Sequence, residues 1–485
     1  MKRSAAVLAA LCAVTLLVAN ASDAGQIPIT TSSPEARELY LKGRDLQEKL
    51  RATDARPLFE QALAKDPSFT MAAVGLANSA GTAKGFFDGV ARAVALSEKA
   101  SEPEKLVVCA LDAGAKGEPA RQKECLTKLT AACPDDARAH NLLAAFHFGR
   151  QEYPAAIAAY EKATALDPSF SQPYNQMGYA YRFLGEYDKA EQAFKKYVEL
   201  IPNDPNPYDS YAEFLMKTGR FEESIKSYEK ALSIDPNFVA SYVGIGNDRV
   251  FMGQPAEARK TYAKLLQVAR NDGEKLQAHF WTAMSYVHEG NTDAAVAEVD
   301  KMAAIDKAGS DQVALAGTYA QAGNILLEAG RVDEAAARFK QRDATIAAAS
   351  VAAQVKDAAK RQALVDEARI ALGKNDVAGA KAKAAAYQTA VAASKIPFEE
   401  RQSRELAGRI ALAEKDYKTA AAALREANQQ DPRVLYLKAL ADQGAGDPVA
   451  AKQASAAAAD WNALSPTYGY VRGKAKSMLK TADKD

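Results

Sequence analysis

Few side chains in this 485-residue chain have types and spacing suited to chemistry. Cys109 and Cys125 lie symmetrically about Gly117, in the two arms of what reads as one helical hairpin. Antiparallel helices would bring the thiols face to face, and a bridge would close a loop of about 17 residues, worth roughly 3 kcal/mol in an oxidising compartment. The other reading makes both of them small buried hydrophobes. Cys133 is left over, either free or paired with another chain. His140 and His147 stand seven apart on one helix face with Cys133 just upstream, which invites a metal site. Tyr174 and Tyr181 occupy the same two slots one repeat later, however, so packing accounts for both histidines. His279 reads as a packing residue too, and His288 has no partner pattern for catalysis. No phosphate loop, Gly-x-Ser-x-Gly elbow, His-Glu-x-x-His or zinc-spaced cysteine pair occurs. Paired acids such as Glu222 and Glu223 read as a solvated face. No catalytic residue, metal ligand or cofactor is expected, and the chain is read as a non-enzyme.

The elements that carry these residues follow from a 34-residue pattern stated twice in register between Ser171 and Phe238. One copy holds Tyr174, Gly178, Tyr181, Gly185, Ala190, Phe194 and Pro202; the next holds Tyr208, Ala212, Leu215, Gly219, Ser224, Tyr228 and Pro236. A fixed period of this length means stacked supersecondary units, each burying its apolar stripe against its neighbours. Small residues such as Gly178 and Ala190 mark close helix approach. Tyr174, Tyr181 and Phe194 fill the space between pairs, each worth about 1.5 to 3 kcal/mol of burial. Asp-Pro or Ile-Pro ends the unit.

The same register extends through 36–69, 103–136, 137–170 and 239–273, with 70–102 a degenerate unit that lacks the terminal proline. Later units begin near Leu276, Ala316, Arg361, Arg401 and Leu435 at longer spacings, so longer helices or connections must absorb the extra residues. The set resembles the tetratricopeptide repeat, a helix-turn-helix family, closely from Ala36 to Phe339 and loosely from Arg361 to Leu479. The resemblance implies an all-α fold, an alpha-solenoid superhelix. In the C-terminal third Ala-rich runs such as 347–353 and 454–459 replace the aromatics. Those units should be thinner, with Trp461, Tyr468 and Tyr470 sealing the end.

In this family the first helix of each pair lines a concave face. Carried over, the resemblance places Asn141, Asn175, Gln176, Tyr179, Arg182, Phe183, Asp209, Glu213, Asn247 and Phe251 on that face, followed by Phe280 and Trp281. Amides to satisfy a peptide backbone and aromatics to anchor it suit an extended peptide or partner protein. For the three phenylalanines, packing against adjoining helices is an equal alternative. A family subclass clamps a C-terminal carboxylate with lysines, asparagines and an arginine. The corresponding slots here hold Asn141, Ala145, Gln176, Asn206 and Ser210, so no such clamp is expected.

Composition sets the remaining bounds. Apolar residues are 48% and charged residues 25%, an ordinary globular mixture. Net charge is +1, or −1 without Lys2 and Arg3, so no global field favours nucleic acid or an anionic membrane. Residues 1–21 read as a secretory signal peptide: Lys2 and Arg3, an apolar run from Ala5 to Val18, then Ala19-Asn20-Ala21 as cleavage site. That run is too short to span a bilayer, and Leu11 before Cys12 argues against a lipid anchor. The expected organisation is a signal peptide (1–21), a flexible linker (22–32), the repeat array (33–345) and an Ala-rich degenerate array with its cap (346–485). We expect a periplasmic or secreted scaffold, not inserted in a membrane after signal cleavage, that binds a partner protein or peptide. A structural subunit of an envelope polysaccharide or outer-membrane complex is the alternative.

Overall fold

The computed structural model describes residues 25–394, 396–463 and 465–482, so the signal peptide expected over 1–21 falls outside the described residues. The helices pair as hairpins: α1 (Pro34–Glu48) with α2 (Ala52–Lys65), α3 (Thr70–Asn78) with α4 (Ala83–Leu96), α5 (Glu102–Ala115) with α6 (Pro119–Ala132), and α7 (Ala137–Gly149) with α8 (Tyr153–Leu166). The central hairpins are α9 (Ser171–Leu184) with α10 (Tyr187–Leu200), α11 (Pro205–Lys217) with α12 (Phe221–Ile234), α13 (Val239–Phe251) with α14 (Pro255–Val268), and α15 (Asp272–Glu289) with α16 (Thr292–Ala308). Four more follow: α17 (Gln312–Glu328) with α18 (Val332–Ala348), α19 (Ala353–Gly373) with α20 (Val377–Ser394), α21 (Pro397–Ala413) with α22 (Tyr417–Glu426), and α23 (Pro432–Gly444) with α24 (Pro448–Ala459); α25 (Pro466–Ala482) is the last element. Among the described residues there is no strand. The fold is an all-α solenoid. The first helices of successive hairpins touch one another, as α1 does α3, α11 does α13 and α13 does α15, and they form the inner face.

Local sequence explains where helices start. Ser33 accepts the Ala36 amide with Pro34 in the first turn, and Asp136 accepts the amides of Arg138 and Ala139. Asp204, Asn271, Asp311 and Asp431 do the same for α11, α15, α17 and α23, each satisfying donors that a helix leaves unpaired. Gly185 ends α9 with φ 79°, a left-handed turn that residues with a Cβ enter at a cost.

Close approach within each hairpin has one geometry. A Cβ added to Gly178 would lie 2.7 Å from Phe194, one on Gly246 2.1 Å from Tyr262, one on Gly323 2.7 Å from Phe339, and one on Gly408 2.5 Å from Leu424. All four pairs share the separation of 16 that also joins Cys109 to Cys125. An aromatic or leucine on the second helix thus lies on bare backbone of the first.

The longer spacing after residue 273 goes into the helices. Those of α9 to α14 have 13 or 14 residues, whereas α15 to α21 have 17 to 21. Hairpins continue through the Ala-rich third, where Tyr387, Leu424 and Val434 are fully buried.

The superhelix returns on itself. Arg138 of α7 donates to both carboxylate oxygens of Glu48 at the end of α1, at 2.6 and 2.9 Å. Gln151 reaches Asn428 at 3.4 Å. Helix α25 packs on α23 and α24 and also on α15 in the middle of the array.

Candidate functional site

The inner face divides into two stretches. In the first, the lead before α1 is not the flexible linker that its composition suggests. From Gly25 onward it is packed: Ile27 and Ile29 join the apolar cluster of Tyr40, Met71, Val74 and Val107. Its main chain is held as well. The Ile27 amide donates to Asp136 at 2.8 Å, the Thr30 amide to Glu104 at 2.9 Å, and the Thr31 hydroxyl to Asp66 at 2.6 Å. Arg37 donates to the Ile29 carbonyl at 2.9 Å. Apolar side chains of modest size and a proline that disfavours helix explain why this segment lies along the face instead of extending α1.

Each of the three acids serves two partners. Asp136 Oδ1 caps α7 while Oδ2 takes the Ile27 amide. Glu104 Oε2 closes the capping box with Ser101 while Oε1 takes Thr30. Asp66 Oδ1 holds the Ser68 amide and hydroxyl while Oδ2 takes Thr31; these bonds, Ser68 first, hold its carboxyl below the usual range. A cavity of about 440 Å³ remains beside the segment, lined by α1, α3, α5 and α7 and by Ile27, Pro28 and Ile29.

The second stretch holds most of the sequence-assigned residues, and the structure separates them. Asn141 lines the cavity; its amide nitrogen donates to Gln172 at 3.1 Å, and Oδ1 has no partner. Asn175, one unit on in the same slot, is 1% exposed and neither of its amide atoms has a partner. Gln176 is half-buried on α9. Tyr179 lies edge-on to Phe194 with centroids 5.1 Å apart, and Arg182 sits 4.7 Å above its ring. Arg182 also pairs with Glu213 at 3.5 Å.

Four of the assigned side chains are spent on contacts within the fold. Phe183 stacks on Tyr153 at 5.1 Å and packs between α8 and α9. Asp209 is buried and accepts the Ser241 hydroxyl at 2.8 Å; burial, with the charge of Glu213, raises its carboxyl to about 8. Asn247 spends its amide on the Val243 carbonyl at 2.9 Å. Phe251 is covered by α25. Phe183, Asp209 and Phe251 meet adjoining helices, whereas Asn247 is buried and bonded to its own helix.

The cover on Phe251 was not foreseen. Trp461, Tyr468 and Tyr470 do more than lie on the last hairpin: they also enter the middle of the array. Tyr468 packs among Met216, Tyr228, Val250 and Phe251, and Tyr470 packs with Met284 and Ile325. Arg472 donates to the Phe251 carbonyl at 2.8 Å, and Lys217 to the Trp461 carbonyl at 2.6 Å with its ammonium 4.2 Å over the indole. Burial lowers the Lys217 ammonium to about 8 and, with Arg472 beside it, the His288 imidazole to about 4. Phe280 and Trp281 are half-buried, edge to face with centroids 5.1 Å apart, in the clusters around α15.

Cys109 and Cys125 are joined by a disulfide with Cα atoms 6.0 Å apart, and Cys133 is free and buried. Among the described residues no group of three His, Cys, Asp or Glu side chains could hold a metal, and no helix is long and apolar enough to cross a membrane. His147 hydrogen-bonds with Glu152 at 2.6 Å and His279 with Glu298 at 2.8 Å, so both imidazoles serve local contacts within the packing.

A repeated helical hairpin with a lined inner face defines a solenoid binding module. Models of the tetratricopeptide repeat match residues 171–204, 146–182 with 214–247, and 40–83 with 243–311, so the chain is a tetratricopeptide repeat protein. No curated protein matches it by sequence. Similar solved structures include MamA, at 23% identity over 33% of this chain and 93% of its own, with TM-score 0.29. YrrB, described as a TPR protein with an unusual peptide-binding site, is 21% identical over 38% of this chain and 94% of its own, with TM-score 0.27. A tetratricopeptide repeat protein from Parabacteroides merdae is 16% identical over 56% of this chain and 94% of its own, with TM-score 0.35.

Proposed function

We propose that the chain is an exported, non-catalytic protein-interaction scaffold that takes an extended segment of a partner protein along the inner face of α7, α9 and α11. The observation that carries this reading is Asn141 Oδ1, unpaired beside the open cleft, with the buried Asn175 amide likewise unpaired in the equivalent slot of the next unit. A buried amide without partners costs about 1 to 3 kcal/mol, which a peptide backbone passing along that face would recover. Gln176, Tyr179, Arg182 and Glu213 border the same track. The charged, apolar and small-residue order of residues 1–21 supports export, as does a disulfide in the third hairpin, since such bonds persist in oxidising compartments. The test is partner capture by the mature protein in its native envelope, comparing wild type with Asn175→Ala and Tyr179→Ala. Loss of capture by variants that remain fully folded at the assay temperature is expected; capture that survives both changes sinks the proposal.

One observation favours a second reading, a structural subunit of an envelope assembly. Helix α25 fills the inner face at α13 and α15, which leaves edges and convex faces for contact there. Substitutions confined to the convex surface would then abolish assembly while Asn175→Ala would not.

A further inference from the structure

Residues 27–31 are laid across the first four hairpins as a bound peptide would be. Two of their amides and a hydroxyl end on acids from three different units, while Ile27, Pro28 and Ile29 face an apolar floor. None of these contacts is needed to build the hairpins, because each acid already holds its own helix start or turn through its other oxygen. A cleft of about 440 Å³ remains beside the segment, lined in part by Ile27 and Ile29 themselves.

From this we infer that the groove across α1, α3, α5 and α7 is a peptide-binding site, occupied in cis by residues 27–31. In trans it takes an extended segment carrying a proline and apolar side chains larger than isoleucine. Asp66, Glu104 and Asp136 read the main-chain amides and a hydroxyl of the occupant, so recognition of the backbone is shared by any such segment. The empty volume supplies the selectivity, since a larger apolar side chain gains burial that the resident one lacks. Because the resident segment is tethered, its effective concentration is on the order of millimolar, and a partner in trans must outcompete it. This site adjoins the Asn141–Asn175 track and shares α7 and Asn141 with it, but its test, which uses peptides of the resident sequence, does not depend on that reading.

The probes are two fluorescent peptides, Gly-Gln-Ile-Pro-Ile-Thr-Thr-Ser and the same peptide with phenylalanine in place of its second isoleucine. They are titrated into the full mature chain, wild type and Ile27→Asp/Ile29→Asp, the latter to expel the resident segment. Both peptides should bind the variant, with the phenylalanine peptide tighter. Binding to wild type should be at least about tenfold weaker because of cis competition. Adding Val107→Asp to the variant should abolish binding. Failure of both peptides to bind a variant whose helical circular dichroism matches wild type overturns the site. Equal affinity for wild type and variant overturns cis occupancy, and equal affinity of the two peptides overturns the role of the cavity. If the variant does not fold, amide exchange in wild type decides: protected Ile27 and Thr30 amides that exchange faster on adding excess phenylalanine peptide uphold the site, and unprotected ones reject it.

Discussion

Tyr468 lies edge-on against Phe251, with ring centroids 5.3 Å apart and planes at 69°, so the last helix is fastened to the middle of the array. The Tyr468 hydroxyl donates to the Ala459 carbonyl at 2.6 Å and receives Arg472 at 3.1 Å. Arg472 continues to the Phe251 carbonyl. Tyr468→Ala should cost about 3 to 5 kcal/mol locally, as for other fully buried aromatics. Amide exchange in α25 should accelerate while that in α5 to α8 does not. Tyr468→Phe, which keeps the ring, should cost about 1 kcal/mol. Equal exchange in α25 for wild type and Tyr468→Ala would show the contact to be energetically idle.

Gly178 and Phe194 test the hairpin geometry. With 2.7 Å between an added Cβ and the ring, Gly178→Ala should destabilise by about 1 to 3 kcal/mol through overpacking. Phe194→Leu shortens the side chain at the clash, so the double variant should lose less than the sum of the single losses in urea unfolding. Strict additivity would mean that the two positions do not meet.

The disulfide should be worth about 3 kcal/mol for its loop length. Dithiothreitol should therefore lower the thermal midpoint of wild type and leave Cys109→Ser/Cys125→Ser unmoved. Cys133 is buried, and burial, with Asp136 nearby, raises its thiol. Under native non-reducing conditions it should resist iodoacetamide, and alkylation of Cys109 or Cys125 under those conditions would disprove the bridge.

Asp209 and Asp248 make stability depend on pH with an unusual sign. Burial raises both carboxyls from an ordinary 3.8 to about 8, reinforced by Glu213 and Glu222 respectively. Between about pH 4 and pH 8 the folded state therefore binds more protons than the unfolded one. The stability these groups contribute is fully present below about pH 4 and is lost as pH rises to about 8, by up to about 1.4 kcal/mol per unit for each group. Asp248→Asn should flatten the fall of the urea midpoint across pH 5 to 8 relative to wild type. An identical slope in the variant would place the Asp248 carboxyl in its ordinary range.

The repeat was readable because its signals are local: a glycine opposite an aromatic sixteen residues on, an Asp-Pro stop, a capping serine or aspartate. The inner-face expectations at Asn141, Gln176 and Tyr179 came from carrying the family resemblance onto that register. What sequence reading missed depends on contacts across hundreds of residues. Nothing near Phe251 announces Tyr468, and Trp461 and Tyr468 fit an end cap as well as an inward wedge. Asp66 was visible only as the register mark before Pro67, and Asp136 only as the last residue of a unit. Their second oxygens acquire meaning only when the superhelix brings the lead segment over them.

Open solenoids of stacked hairpins stretch and recoil like springs, each turn yielding a little under load. Here Arg472 and Lys217 latch the last turn to the middle ones through the Phe251 and Trp461 carbonyls. Tension applied to the C-terminus meets that latch before it reaches the coils, so the molecule should extend in a single abrupt release followed by soft elongation.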